Sequence, residues 1–137
     1  MLISRLSIFN LDKISLEDKI KRAVDLISTM NGKRKAFLNY HWHLYVIDRL
    51  KQKDTANNDK QTKDMLKEED WLIKEKELIL LELREETYAL GQIVSAIKKE
   101  LKPGANWFKI ADKSYPGFLL NYLEVEKFMN DLYKLAN

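Results

Sequence analysis

Two histidines, His41 and His43, are the first residues in this sequence that suggest metal chemistry, because imidazole is a common ligand of transition metals. Their spacing argues against a shared site. On a helix, residues two positions apart point about 200° away from each other, whereas a shared ion needs ligands three or four positions apart. The Glu-x-x-His pair of di-iron helical bundles is also absent. We therefore predict no metal site and no cofactor.

Carboxylates are dense between Glu68 and Glu86, and acidic clusters on helices can support metal-dependent hydrolysis. Here the acids alternate with lysines and one arginine, which is typical of a solvated helix face. The sequence has no glycine-rich phosphate loop, dinucleotide fingerprint or nucleophile turn, and it has no cysteine for thiolate chemistry. We predict no catalytic residues and a protein that is not an enzyme.

Basic and aromatic residues occur together in two places, a combination that can bind phosphates or single-stranded nucleic acid. The candidates for nucleic-acid contacts are Lys33, Arg34, Lys35, Lys98, Lys99, Lys102, Trp107, Lys109 and Lys113. Aromatic residues at helical spacing are more often core residues, and lysines near a helix C-terminus stabilise the helix dipole. Because the net charge is only +3, nucleic-acid binding is the less favoured alternative.

These residues must be positioned by helices, and the dominant one is predicted over residues 63–101. This stretch is rich in Lys, Glu, Leu and Ile, contains no proline, and is followed by Pro103-Gly104. Its apolar residues follow the three-four spacing of a coiled-coil-like seam, with Lys76 as an interruption. The predicted seam consists of Ile73, Leu80, Leu83, Thr87, Leu90, Val94, Ile97 and Leu101.

Such a helix would be about 57 Å long, whereas a compact domain of this size has a diameter of about 37 Å. Three explanations are open: an elongated domain, a bend at Gly91, or an overhang covered by another chain. The region 1–53 carries eleven basic against five acidic residues, whereas 54–101 carries eight against twelve. The two regions are therefore predicted to attract each other inside one bundle.

Four further helices and two other segments complete the prediction. A helix over 15–31 ends at Asn31-Gly32, and a second over 33–53 is apolar on nearly all sides, so it should lie at the bundle centre or half in an interface. Asn106 caps a short helix from Trp107 to Asp112, and the last helix covers 118–136. Residues 1–14 form a short helix or an arm, and 54–62 a flexible polar linker.

We thus predict one all-α domain over residues 1–137, an elongated bundle of four to five helices built on the helix 63–101. We expect a non-enzymatic interaction module that binds another protein chain, in the first place a second copy of itself. No stretch has the length or composition of a membrane span or signal peptide, which favours a cytoplasmic protein. The interface candidates are Trp42, Tyr45, Trp71, Ile73, Leu80 and Leu83.

Overall fold

The computed structural model describes residues 11–53 and 59–136. Within these ranges the chain forms a short 3₁₀ turn at Leu11–Lys13 and four α-helices: α1 (Leu16–Lys53), α2 (Asp59–Glu100), α3 (Trp107–Ser114) and α4 (Phe118–Ala136). No strand occurs in the described part of the chain, and the predicted all-α helical bundle is confirmed. In the ranges 11–53 and 59–136, no helix combines the length and the apolar character needed to cross a bilayer.

The contacts between residues divide the chain into two compact units. The hairpin unit comprises Lys35–Leu81, and the terminal unit comprises Met1–Arg34 together with Glu82–Asn137. In the hairpin unit, α1 and α2 run antiparallel, because Lys51 contacts Glu69 while His41 contacts Lys76. The terminal unit contains the other halves of both helices with α3 and α4.

The prediction that Asn31-Gly32 separates two helices was wrong, because α1 continues through both residues to Lys53. Asn31 is buried, and its side-chain Nδ2 donates to the side-chain Oδ1 of Asn121 on α4 at 2.8 Å. Its own carbonyl oxygen accepts from Nε of Arg34 at 2.7 Å. The side chain of Asn31 therefore forms its hydrogen bonds with other residues of the folded protein, although asparagine by itself favours the end of a helix.

The helix predicted over 63–101 is confirmed as α2, which begins four residues earlier and passes through Gly91 without interruption. The last four residues of the predicted polar linker, 59–62, are therefore helical, whereas 54–58 lie outside the described residues. Of the predicted N-terminal arm, residues 1–10 lie outside them too, and Leu11 is buried in the 3₁₀ turn.

The buried seam of α2 differs from the predicted seam at every second position. At each of these positions the buried residue is the one immediately before the predicted residue. Leu83, Leu90 and Ile97 are buried as predicted, but Ile73 is exposed, and Leu80, Thr87 and Val94 are only partly buried. The buried seam consists of Leu72, Ile79, Leu83, Glu86, Leu90, Ile93 and Ile97. When Lys76 is counted as a member, successive residues of this seam lie alternately four and three positions apart in the sequence. The apolar pattern of the sequence did not predict this seam, because one of its buried residues is the charged Glu86.

The chain beyond α2 follows the predicted local signals closely. Gly104 has a φ of +85° in the turn, and the side chain of Asn106 accepts from the backbone N–H groups of Phe108 and Lys109 at the start of α3. Helix α3 extends to Ser114, two residues beyond the prediction. Helix α4 covers the predicted range and buries Phe118, Val125 and Met129.

Candidate protein interface

The α1 segment of the hairpin unit has one buried face, so the prediction that it lies at the bundle centre was wrong, whereas the alternative, that it lies half in an interface, stays a prediction. Phe37 and Ile47 are buried, and Nζ of Lys76 on α2 lies 4.8 Å from the Phe37 ring centroid. The large apolar residues elsewhere on its circumference are exposed: Leu38, Trp42, Tyr45, Val46 and Leu50. The side chain of Trp42 is 61% exposed and that of Tyr45 is 51% exposed. An apolar surface of this kind is a common sign of a binding site.

Three of these residues lie on one flank of α1, because Leu38, Trp42 and Tyr45 follow the four-three spacing of a helix face. The rings of Trp42 and Tyr45 are stacked at 5.5 Å between centroids. One turn further along the same flank, the guanidinium carbon of Arg49 lies 5.9 Å from the Tyr45 ring centroid. Aromatic, aliphatic and cationic groups thus form one continuous exposed row.

The contact between His41 and Lys76 shows which flank of α2 lies beside this row. Nζ of Lys76 is 3.0 Å from Nδ1 of His41. His41 is one turn from Leu38 and Tyr45, and Lys76 is one turn from Ile73 and Leu80. The exposed flanks of the two helices are therefore neighbours.

We call this surface the Trp42 face and define it by six residues: Leu38, Trp42, Tyr45, Leu66, Ile73 and Leu80. Four of them were predicted as interface candidates, and all four lie in the hairpin unit. Leu38 and Leu66 were missed, although each lies seven positions from a predicted candidate, at the heptad spacing of one helix face. Leu80 is half-buried at the inner edge, and the other five are exposed.

Two predicted interface residues lie elsewhere. Trp71 is on the opposite flank of the hairpin unit, where its ring meets Tyr40 edge-on at 5.6 Å between centroids. Leu83 belongs to the terminal unit and is 0% exposed, so the structure places it in the core instead of on a surface. Leu83 is completely buried because it belongs to the same buried seam of α2 as Glu86 and Leu90.

The first group of nucleic-acid candidates is largely engaged inside the terminal unit. Nζ of Lys33 lies 2.8 Å from Glu86 and 3.0 Å from Glu82, and the Arg34 guanidinium is 3.1 Å from Glu124. Glu86 is 0% exposed, and its burial raises the pKa of that carboxyl although the ion pair with Lys33 opposes the rise. Lys35 is exposed. Two of the three bases therefore neutralise acids of the chain itself.

The second group includes three residues, Lys98, Lys102 and Trp107, that line an open cleft of about 580 Å³ in the terminal unit, between the end of α2 and the start of α3. Lys98 and Lys102 line it together with Trp107 and Phe108. Five exposed lysines lie in this region: Lys98, Lys99, Lys102, Lys109 and Lys113. Trp107 itself is 2% exposed and contacts Phe118 at 5.3 Å between centroids, so it is a core residue and offers no open stacking platform.

The described residues contain no group of His, Asp and Glu arranged to hold a metal ion. His41 and His43 are both exposed, and the Nδ1 atom of His41 is occupied by Lys76. Comparison of the chain with protein-family models, with curated proteins and with solved structures gives no match.

Proposed function

We propose that this protein is a non-enzymatic interaction module, acting as an adaptor, inhibitor or assembly subunit, and that its partner chain binds the Trp42 face. The observation that carries the proposal is the exposure of Trp42, Tyr45 and their aliphatic neighbours on one side of the hairpin unit. Large aromatic residues dominate the free energy of protein interfaces, because they bury much apolar area with few rotatable bonds.

The physical case rests on the cost of leaving this surface in water. Each large apolar side chain contributes about 1.5–3 kcal/mol when it is transferred completely from water to an apolar environment. Leu38, Trp42 and Tyr45 each retain a large exposed fraction in the single chain. A partner that covers them recovers this free energy without a change in the fold of the hairpin unit.

The test combines sedimentation velocity over a concentration series with affinity capture, using the full chain. The Trp42→Ser variant should lose the partner or the assembly that the wild type shows. Leu120→Ser is the matched control, because Leu120 is a large apolar residue that is 64% exposed and belongs to the terminal unit instead of the hairpin unit. A partner bound equally by both variants, or no association of any kind, would contradict the proposal.

The alternative is a nucleic-acid-associated subunit that binds phosphates through the exposed lysines around the cleft. The cleft of about 580 Å³ beside Lys98 and Lys102 favours it, and the pairing of Lys33 and Arg34 with carboxylates disfavours the other cluster. Such binding weakens steeply with salt, because it releases counterions from the phosphate backbone. Fluorescence anisotropy with single- and double-stranded probes at low salt tests it, and Lys98→Glu/Lys102→Glu should abolish any signal.

A further inference from the structure

Helix α1 has a side that points away from α2 within the hairpin unit. Phe37 and Ile47 are buried, and each lies five positions from Trp42, so both are turned about 140° from it around the helix axis. Lys51, which binds Glu69 of α2 at 2.9 Å, is turned about 180° from Trp42. We call the opposite side the outer face of α1 and define it by the exposed residues among positions 35–52 that lie within about 60° of Trp42. These are Lys35, Leu38, Asn39, Trp42, Tyr45, Val46 and Arg49.

The outer face of α1 carries positive charge and no negative charge. Lys35 and Arg49 are exposed and lie within about 20° of Trp42 around the helix axis, on either side of it along the helix. The single acidic residue among positions 35–52 is Asp48, which is turned about 120° from Trp42. A neutral partner would remove both cations from water without a counter-charge, which is unfavourable.

The covered bases of α1 show which partner these two cations lack. Four bases of α1 form ion pairs with a glutamate of another helix, at N–O distances from 2.8 Å to 3.1 Å: Lys19, Lys33, Arg34 and Lys51. Within the described residues, Lys35 and Arg49 form no ion pair, and the guanidinium carbon of Arg49 lies 5.9 Å from the Tyr45 ring centroid. Where other helices of the chain cover these four bases of α1, glutamates thus supply the counter-charge.

We propose that the occupant of the outer face of α1 is an amphipathic helix of a partner protein, with an apolar stripe that has an acidic side chain towards each end. This inference rests on the proposed function, because it states the chemistry of the partner that covers Trp42 and Tyr45. The apolar stripe covers these two rings and Leu38, and the two carboxylates bind Lys35 and Arg49. Complementary charge then selects acidic helices and rejects basic ones.

The positions of the two cations set the pattern that the partner helix carries. Lys35 and Arg49 are fourteen residues apart, which is about 21 Å along the helix axis. A helix that lies along the outer face therefore has two acidic positions about fourteen residues apart, with apolar residues at three-four spacing between them. The partner segment is at least about 15 residues long, or four helical turns.

An anionic membrane is the other occupant that attracts aromatic and basic residues together, and the number of charges disfavours it. Segments that bind anionic lipids through charge carry about four to eight Lys or Arg residues. The outer face of α1 has two, Lys35 and Arg49. Two cations at fixed positions suit two carboxylates on a helix better than a diffuse layer of headgroups.

Three synthetic peptides of about 18 residues, stapled in the helical form, serve as probes for titration calorimetry with the full chain. They share one leucine stripe and differ at two positions about fourteen residues apart, which are both Glu, both Gln or both Lys. The wild type should bind the Glu probe about three- to tenfold tighter than the Gln probe, and the Lys probe most weakly. The variant Lys35→Glu/Arg49→Glu should reverse this order, and Trp42→Ser should lose all three probes.

The matched control is Lys109→Glu/Lys113→Glu, which changes the net charge by the same amount at two exposed residues of the terminal unit. This control should keep the wild-type order of the three probes. A reversed order in the control would overturn the inference, because net charge alone would then explain the preference. Circular dichroism on every variant confirms that helicity is retained.

Failure of this inference is distinguishable from failure of the proposed function. Equal binding of the three probes, lost together in Trp42→Ser, would overturn the acidic partner and keep the interaction module. Binding to phosphatidylserine vesicles, but to no probe at about 1 mM, would overturn the partner helix in favour of a membrane. Self-association that Trp42→Ser abolishes, without preference for the Glu probe, would overturn it in favour of a second copy. No binding of any kind would overturn both proposals.

Discussion

Nζ of Lys33 lies 2.8 Å from a carboxylate oxygen of Glu86, and the Glu86 side chain is completely buried. Glu82 supplies a second carboxylate to the same ammonium at 3.0 Å. Among the described residues, the other Glu86 oxygen has no hydrogen-bond partner. A buried carboxylate is thus placed in the seam of α2 and paired with a lysine of α1, so removal of that lysine should be costly.

Substitution of Lys33 by Met should destabilise the protein by about 3–5 kcal/mol, because it leaves the Glu86 charge buried without its cation. The combined variant Lys33→Met/Glu86→Leu should regain most of this loss, since an apolar pair of similar volume needs no compensation. Lys74→Met is the surface control, because the ion pair of Lys74 with Asp70 is exposed on both sides. Urea unfolding measures all three variants, and a Lys33→Met variant as stable as Lys74→Met would refute the assignment.

The change of the free energy of unfolding with pH should include a contribution from Glu86. Burial raises the pKa of its carboxyl above the ordinary 4.5, so the folded state binds this proton more tightly than the unfolded state. The Glu86 carboxyl therefore adds to the free energy of unfolding below pH 4.5. This addition is lost as pH rises through the pKa that the carboxyl has in the folded state. The pKa of Lys33 is raised above 10.5, so its contribution is lost only at alkaline pH.

The measurement is the free energy of unfolding in urea at about pH 4 and about pH 7, compared between wild type and Glu86→Gln. Carboxylates other than Glu82 contribute equally to both proteins, so the difference reports Glu86 together with its coupling to Glu82, which shares Lys33. The wild type should lose stability relative to the variant as pH rises. The opposite sign would show that Lys33 outweighs the burial of this carboxyl.

Gly32→Ala should stabilise the protein by about 0.5–1 kcal/mol, because Gly32 lies inside α1 and a Cβ there would meet no atom within 4 Å. Gly104→Ala is the matched comparison and should destabilise by about 1–2 kcal/mol, because its φ of +85° is unfavourable for any residue with a Cβ. Thermal unfolding compares the two. Destabilisation by Gly32→Ala would indicate that α1 is interrupted at this position.

Trp107→Ala should destabilise the protein by about 3–5 kcal/mol, because the ring is buried against Phe108, Phe118 and Tyr122. Lys102→Ala, on the rim of the same cleft, should change stability by less than about 0.5 kcal/mol. Chemical denaturation gives both values. A Trp107→Ala variant that keeps full stability would contradict the core role and return Trp107 to the nucleic-acid candidates.

The sequence by itself determined the features that depend on neighbouring residues. The C-terminal end of α2, the cap at Asn106 and the turn at Gly104 follow from local hydrogen bonding, from the backbone freedom of Gly and from the restriction that Pro imposes. The all-α class and most of the Trp42 face follow from helical spacing, which fixes the residues that share one side of a helix.

The tertiary structure decided what depends on residues far apart in the chain. Glu86 occupies a core position because Lys33, 53 residues earlier, neutralises it. Asn31 continues a helix because Asn121, 90 residues later, accepts its amide hydrogen bond. The contact of His41 with Lys76 shows which side of α1 lies next to α2. Helical periodicity describes each helix alone, so it cannot assign partners between helices, and those partners set the register of the core.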